Sequence, residues 1–264
     1  MINVDVGGLA DKVRGLADKI AKKSVTRGEA TSIEDLIAHV RSISEDAERD
    51  MQSSLGSAYP EIGWTAEDGH PGDEAYWLYD PIDGAYHWLQ GLPLWASSLV
   101  LVRGGRPVIS IVYDPAMGET FVAEESKGAF CNGMPIRVSG KASLGAAVVG
   151  TAIPPIGQVG KAEQDEAIGL LQKVARSVFV VRPIAAASLQ LAYVSAGRLD
   201  AYFENGRDAA DWLAGDLLVR EAGGVVTDLA GNPFGWAGYG VLSGNARLHQ
   251  EMLDTVKAGA QTDL

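Results

Sequence analysis

Three features of the sequence predict an α/β fold. Apolar residues at helical spacing mark the first 55 residues, strand-like segments separated by tight turns fill the middle, and short apolar strands alternate with helices after about residue 145. A chain of 264 residues is long enough to bury a sizeable core. We expect two closely packed halves: an N-terminal α+β half at 1–140 with an antiparallel sheet, and a C-terminal α/β half at 141–264.

The N-terminal region predicts two helices. Between residues 9 and 20, four apolar residues lie three or four positions apart among charged ones, which indicates an amphipathic helix and not the continuous apolar run of a signal peptide. The same spacing predicts one long helix or two broken ones over about 32–55, introduced by a capping box of Thr31 and Glu34. Pro60 disfavours helix in the residue before it and ends this region.

The middle of the chain predicts an antiparallel meander. Strand-like segments at 97–102, 107–113 and 119–123 are separated by turn signals, among them Gly104-Gly105, and a shorter apolar strand precedes them at 75–79. Asn132-Gly133 predicts a further hairpin before a strand at 136–138.

The last part of the chain predicts the α/β half. Short strands at 147–150 and 178–181 alternate with helices at 164–175, 188–196 and 211–222. Gly223-Gly224 stands where a helix C-terminus favours glycine.

Composition restricts the classes of function. The formal net charge of −12 argues against a nucleic-acid partner, because phosphate backbones attract basic surfaces. It equally requires cations for any phosphorylated ligand. The single cysteine, Cys131, excludes an intrachain disulfide and a thiolate metal cluster and agrees with a cytoplasmic location. No segment is long and apolar enough to span a bilayer, so we expect no membrane partner.

The segment Asp80-Pro-Ile-Asp-Gly84 is the main candidate for chemistry. Two carboxylates three residues apart around a rigid proline can converge on one point, and Gly84 stands at a predicted helix start, where free backbone N–H groups can hold a phosphate oxygen. In isolation, this pentapeptide is also typical of a surface turn with an Asx cap.

Other acidic residues favour a metal site over a surface turn. Glu67 precedes the motif, and Asp211 opens a predicted helix whose other residues are mostly apolar. Together with Asp80 and Asp83 they supply four hard oxygen donors, the type of ligand that Mg²⁺ prefers.

Two segments resemble the signatures of the inositol monophosphatase family. Asp80-Pro-Ile-Asp-Gly-Ala-Tyr-His-Trp-Leu-Gln-Gly-Leu-Pro93 is similar to the first signature, Asp-Pro-Ile-Asp-Gly-Thr-x-Asn-Phe-x-x-Gly-x-Pro. Asp211-Trp-Leu-Ala-Gly215, continuing to Gly224, is similar to the second, and the likeness extends from about Tyr59 to Asn245. The resemblance implies a layered α-β-α-β-α sandwich of the inositol monophosphatase and sugar phosphatase type, a homodimer and lithium sensitivity.

The resemblance also implies the metal ligands. Glu67, Asp80 and the carbonyl of Ile82 would bind one Mg²⁺, while Asp80, Asp83 and Asp211 would bind a second. A third, looser ion would lie near Glu67. Two ions roughly 4 Å apart can clamp the attacking and leaving oxygens of a displacement. Glu67, Asp80 and Asp83 would therefore be catalytic.

The substrate contacts follow from the same resemblance. The backbone amides of Gly84 and Ala85 would hold the phosphate, and Glu204 would contact a hydroxyl of the alcohol portion beside Asp211. The loops at 152–160 and 204–210 would determine which alcohol fits.

The sequence departs from the family where water is activated. Ala85 occupies the position of a threonine whose hydroxyl orients the attacking water, and counting back from Tyr59 puts Ser44 at the position of its aspartate partner, or Asp46 after a two-residue slip. His87 replaces the asparagine of the signature, either as a hydrogen-bonded structural residue, which we favour, or as a substitute base.

These features predict a phosphoric monoester hydrolase acting on a small phosphorylated metabolite, inositol monophosphate or a similar polyol or sugar phosphate. Histidinol phosphate, fructose 1,6-bisphosphate and nucleoside phosphates are alternative substrates. The rival hypothesis is a weakened enzyme or a metal- and phosphate-binding regulator, in which Ala85→Thr, with Ser44→Asp, would restore activity.

Overall fold

The computed structural model describes residues 4–23, 32–65 and 74–258. Its first sheet has seven strands in the order of the chain, antiparallel throughout except for the parallel first pair. The strands are β1 Gly63–Trp64, β2 Tyr76–Asp83, β3 Ala96–Arg103, β4 Arg106–Asp114, β5 Glu119–Glu124, β6 Gly128–Cys131 and β7 Met134–Pro135. The predicted meander is confirmed.

The second sheet is mixed and is ordered β11-β12-β10-β8-β9. Strand β8 is parallel to β9 and β10, whereas β12 is antiparallel to both of its neighbours. The strands are β8 Val148–Thr151, β9 Val180–Pro183, β10 Ala201–Glu204, β11 Val225–Thr227 and β12 Val241–Gly244. The predicted strands at 147–150 and 178–181 correspond to β8 and β9.

Eight helices in the described part of the chain complete the architecture. They are α1 Val6–Ala21, α2 Ile33–Ala58, α3 Ala85–Leu89, α4 Ile156–Val159, α5 Lys161–Ala175, α6 Ala187–Ser195, α7 Ala209–Glu221 and α8 Ala246–Lys257. Within the described ranges, no helix combines the length and the apolar character that crossing a membrane requires.

The helices and sheets form five layers. Helices α1 and α2 cover one face of the first sheet through a core that contains Trp77 and Leu101, and α6 and α7 cover its other face around Leu78 and Val100. Neighbouring strand residues point to opposite faces, and both faces are covered, so β2 and β3 read as nearly continuous apolar runs.

The inner helices also separate the two sheets. Leu191 of α6 and Trp212 of α7 pack against Tyr202 of the second sheet, while α5 and α8 cover that sheet's outer face around Phe203 and Met252. The order is therefore helices, sheet, helices, sheet, helices, and the predicted α-β-α-β-α sandwich is confirmed.

Some boundaries differ from the prediction. The long second helix is a single helix, and Ser32 is its N-cap, with Ser32 Oγ accepting a hydrogen bond from Asp35 N at 3.2 Å. Thr31, the predicted capping residue, lies outside the described residues. The predicted strand at 136–138 is wrong, since the strand is β7 at Met134–Pro135. Ile136 N still donates to the Ala129 carbonyl of β6, but Val138 N donates to the Ala222 carbonyl at the C-cap of α7.

Candidate active site

A cavity of about 470 Å³ lies where β2, α2, α3, α4 and the start of α7 meet. Six acidic side chains and one cationic side chain line it among the described residues. The acidic ones are Glu48, Asp80, Asp83, Glu204, Asp208 and Asp211. The structure thus brings the predicted residues of both signatures to one place, together with Ile82, Gly84 and Ala85.

The first signature reaches the cavity at an irregularity in the pairing of β2 with β3. Its pairing with β3 is regular up to Asp80 and shifts in register before Asp83, across the span that contains Pro81. Proline has no N–H to give to a ladder, so an interruption is expected there. Asp80 Oδ1 accepts a hydrogen bond from Ile82 N at 2.8 Å, an Asx turn that orients the carboxylate.

Gly84 makes the turn from β2 into α3. Its φ of 87° lies in the left-handed region, and a Cβ there would lie 2.9 Å from both Ala186 Cβ and the Leu94 carbonyl oxygen. Glycine is therefore required by conformation and by close approach. The predicted helix start is confirmed, and the first N–H groups of α3 have no partners inside the helix.

The Asp83 carboxylate caps the N-terminus of α6. Its Oδ1 accepts from Ala187 N at 3.1 Å, and its Oδ2 accepts from Ser188 N at 2.8 Å and from the Ser188 hydroxyl. Burial raises the pKa of Asp83 to about 6, against the opposing effect of these donors. The helix dipole favours the ionised form, and one lone pair on Oδ1 remains open to a further ligand.

The C-terminal half supplies the opposite wall. Glu204 ends β10, and its Oε2 accepts hydrogen bonds from the Tyr202 hydroxyl and from Trp212 Nε1, the latter at 2.8 Å. Burial raises the pKa of Glu204 to about 7. Asp211 stands in the first turn of α7, where a carboxylate is stabilised by the helix dipole, and Asp208 is the N-cap.

Helix α2 forms a third wall. Ile43 and Ala47 are buried against the first sheet, and Ser44 and Glu48, each one position further along, are half-buried and line the cavity. Asp46 is exposed and forms ion pairs with Arg49 and Lys23 instead. Of the two candidates for the aspartate position, Ser44 therefore faces the cavity and Asp46 does not.

His87 serves a structural purpose. Its Nδ1 donates to the Leu94 carbonyl at 2.8 Å, which fixes the ring beside the turn after α3. The side chain is half-buried and is absent from the described lining of the cavity. The favoured structural interpretation agrees with this geometry. Cys131, in β6, also lies away from the cavity lining.

The described donors that face the cavity are suited to a hard cation. Asp80, Asp83 and Asp211 are oxygen ligands of the kind that Mg²⁺ prefers. Among residues 4–23, 32–65 and 74–258, no three His, Cys, Asp or Glu side chains are already arranged around one point as a metal site. Glu67, the fourth predicted ligand, lies outside the described residues.

Sequence reasoning missed three charged lining residues. Arg41 and Glu48 lie three residues before and four after Ser44, so helical spacing places all three along one side of α2. Asp208 lies one turn before Asp211. Helical periodicity from Ser44 would have identified the pair on α2, whereas the position of Asp208 depends on where α7 begins.

The fold is that of a layered α/β protein. Its cavity is acidic, lies beside the Gly84 turn and is of the phosphomonoesterase type. A model of the Inositol monophosphatase family matches residues 2–260, and the chain belongs to this family. Its members are generally magnesium-dependent phosphatases that act on small phosphate substrates.

Individual relatives agree with this family. The chain is 35% identical to an inositol-1-monophosphatase of Mesorhizobium japonicum over 83% of each chain, and 34% identical to the Nus factor SuhB of Pseudomonas aeruginosa over 91% of this chain and 92% of that protein. A solved inositol monophosphatase from Thermotoga maritima superposes with a TM-score of 0.79 at 28% identity, covering 96% of both chains.

Proposed function

We propose that this chain is a Mg²⁺-dependent phosphomonoesterase that hydrolyses inositol monophosphate or a similar polyol or sugar phosphate. One observation carries the proposal: Asp80, Asp83, Glu204 and Asp211, from separate parts of the chain, line one cavity beside the Gly84 turn. Membership of a phosphatase family supports it.

The metal would be held by carboxylates of both halves. Asp80, Asp83 and Asp211 would supply ligands, with Glu67 and the Ile82 carbonyl completing the set for two or three ions. Bound Mg²⁺ supplies positive charge that offsets the acidic cavity and the dianionic substrate and lowers the pKa of water. The anchored Asp83 couples this set to α6, so the ligands are held by the core of the protein.

The chain's own groups would bind and orient the substrate. The backbone amides of Gly84, the N-cap of α3, and of Ala85, its first residue, would donate to a phosphate oxygen. Glu204, held by Tyr202 and Trp212, would accept a hydrogen bond from a hydroxyl of the alcohol. Pro154 and Val159, in the segment next to the cavity, would shape the space for that alcohol.

The rival function is a metal- and phosphate-binding regulator with little turnover. Ala85 favours it, because this lining residue has no hydroxyl with which to orient water. The regulator would bind Mg²⁺ and phosphate measurably while releasing negligible phosphate from any substrate. A homodimer, lithium sensitivity and the identity of the alcohol remain predictions.

The test is phosphate release from a panel of inositol 1-phosphate, histidinol phosphate, fructose 1,6-bisphosphate and a nucleoside monophosphate, with and without Mg²⁺ and Li⁺. Asp80→Asn should reduce turnover at least about 100-fold, because even residues that only support metal ligands contribute 10- to 100-fold. Asp80 is the better target than Asp83, which also caps α6.

Asp165→Asn is the matched control, since Asp165 is an exposed aspartate of α5 outside the described lining of the cavity. It should behave as the wild type. Equal turnover by Asp80→Asn and the wild type, or no Mg²⁺-dependent turnover on any substrate, would reject the proposed function. The second outcome combined with measurable phosphate binding supports the regulator.

A further inference from the structure

The wall formed by α2 carries two polar groups that the proposed function leaves unused. Ser44 and Glu48 are four residues apart, so their side chains are neighbours on one side of the helix, and both line the cavity. Each follows a buried apolar residue, Ile43 or Ala47, which holds this side of α2 against the first sheet.

Glu48 differs from other acids of the cavity in its surroundings. The carboxylate of Asp83 is bound to the N-terminus of α6, and that of Glu204 is bound to Tyr202 and Trp212. Glu48 is half-buried and has no hydrogen-bond partner among the residues that the structure describes. Its carboxylate is therefore available to a molecule inside the cavity.

Glu48 and Asp80 both contribute negative charge at Tyr79, the residue before Asp80. The Tyr79 phenol precedes Asp80 in β2, and its pKa is raised by burial and, more weakly, by the negative charges of Asp80 and Glu48. Both carboxylates thus act on the same hydroxyl. Helix α2 contacts β2 and α3, the elements that carry Asp80 and Ala85.

We propose that Glu48 is the general base of the hydrolysis, accepting the proton of the attacking water, and that the Ser44 hydroxyl positions this water. The inference rests on the proposed function. It assigns to α2 both groups that water activation needs, a hydroxyl and a carboxylate, at a cavity where Ala85 offers neither. Burial and the charge of Glu45 raise the pKa of Glu48, which improves it as a base.

The proposed hydrolysis conserves atoms and protons. The water oxygen forms a bond to phosphorus while its proton passes to the Glu48 carboxylate, and the ester P–O bond breaks on the opposite side. The alcohol leaves as an alkoxide and takes a proton from solvent. Glu48 then releases its proton to solvent, so one water and one monoester become one alcohol and one inorganic phosphate.

The test compares Glu48→Gln with Glu34→Gln in the whole protein. Removing a general base typically costs 10²- to 10⁴-fold, so we expect kcat of Glu48→Gln to fall by about that factor with KM within about twofold. The fall of kcat toward acidic pH, which reports protonation of the base in the wild type, should be lost in Glu48→Gln. Glu34 is exposed in the first turn of the same helix and is absent from the described lining, so Glu34→Gln should keep wild-type kinetics.

Calorimetric binding of Mg²⁺ and of inorganic phosphate is the readout that does not depend on turnover. Both affinities should be unchanged in Glu48→Gln. A loss of Mg²⁺ affinity would make Glu48 a metal ligand and overturn the base assignment. The double variant Ser44→Asp, Glu48→Gln returns a carboxylate one turn earlier and should recover part of the lost kcat.

Different results would reject the base role of Glu48 and the proposed phosphatase function. If Glu48→Gln turns over substrate as fast as the wild type does, only the role of Glu48 is rejected. Absence of turnover by the wild type on every substrate rejects the proposed function and, with it, the base.

Discussion

Glu204 shows how a single buried carboxyl can be held ready for a substrate hydroxyl. Tyr202 and Trp212 donate to the same oxygen, Oε2, which leaves Oε1 for the cavity. Burial nevertheless raises the pKa of Glu204 to about 7, because few groups offset the loss of water around its charge. Near neutral pH the group therefore exists in both protonation states.

This pKa predicts a pH-dependent stability. Because the folded pKa lies above the unfolded value, folded Glu204 binds more protons than unfolded Glu204 between about pH 4.5 and 7, and stability falls as pH rises through this window. Glu204→Gln keeps an acceptor for Tyr202 and Trp212 without the charge. We expect it to be more stable than the wild type by roughly 3 kcal/mol at pH 8 and little different at pH 4.5.

Urea unfolding in the absence of Mg²⁺, at several pH values, measures this difference. Glu166→Gln serves as the control, because Glu166 is an exposed residue of α5. A Glu204→Gln variant whose advantage does not grow between pH 4.5 and 8 would contradict the assignment.

At this scale the sequence predicted which residues meet but not how each is held. Asp80, Asp83, Glu204 and Asp211 all line the cavity. The cap that Asp83 forms on α6 was not predictable, since Ser188 lies 105 residues away and no local pattern links the two positions.

Helices α6 and α7 pack together between the two sheets. Gly215 makes this pairing close: a Cβ on Gly215 would lie 2.2 Å from Leu191 Cβ, a distance that side chains do not tolerate. Helix α6, which Asp83 caps, and helix α7, which carries Asp211, therefore approach at a residue with no side chain.

We predict opposite effects for two helical glycines. Gly215→Ala should destabilise the protein by about 1–3 kcal/mol, because overpacking a core interface forces the helices apart. Gly169→Ala, in α5, should stabilise it by about 0.5–1 kcal/mol, since nothing lies within 4 Å of the added Cβ and alanine favours helix. Thermal unfolding of both variants measures the two signs.

A stabilising Gly215→Ala would show that α6 and α7 are further apart than the structure has them. The activity of the Gly169→Ala variant should equal that of the wild type, because α5 packs on the outer face of the second sheet.

Elements were predictable where periodicity was strong. The apolar spacing of α1 and α2 and the turns of the meander predicted the elements that form. Strand β2 extends four residues beyond its predicted end, because the signature itself pairs with β3 despite Pro81. Helix α8 was missed, although Leu248 and Met252 carry a helical signal.

At the scale of the whole molecule, the negative charge of the protein opposes the binding of a negatively charged phosphate ester. The net charge is −12, and the described lining of the cavity contains six acids and only Arg41 as a cation. Such a cavity repels a phosphate dianion unless bound cations reverse the local field. The acidic chain, the carboxylate cluster and the proposed phosphate ester are compatible only through metal ions.

The layered architecture was predictable through the family signatures, whereas composition and periodicity alone indicated only an α/β protein. The order of the second sheet, β11-β12-β10-β8-β9, depends on long-range pairing that no local segment encodes. Asp80 and Asp83 from one part of the chain and Glu204 and Asp211 from a distant part line the same cavity, so neither part forms it alone.

The most direct test is a crystal structure of the protein with Mn²⁺ and phosphate, in which anomalous scattering locates the metal. We predict metal about 2 Å from carboxylate oxygens of Asp80 and Asp211, with phosphate between the metal and the start of α3. Anomalous density elsewhere, or a cavity in which Asp80, Asp83 and Asp211 bind no ion at saturating Mn²⁺, would contradict the account.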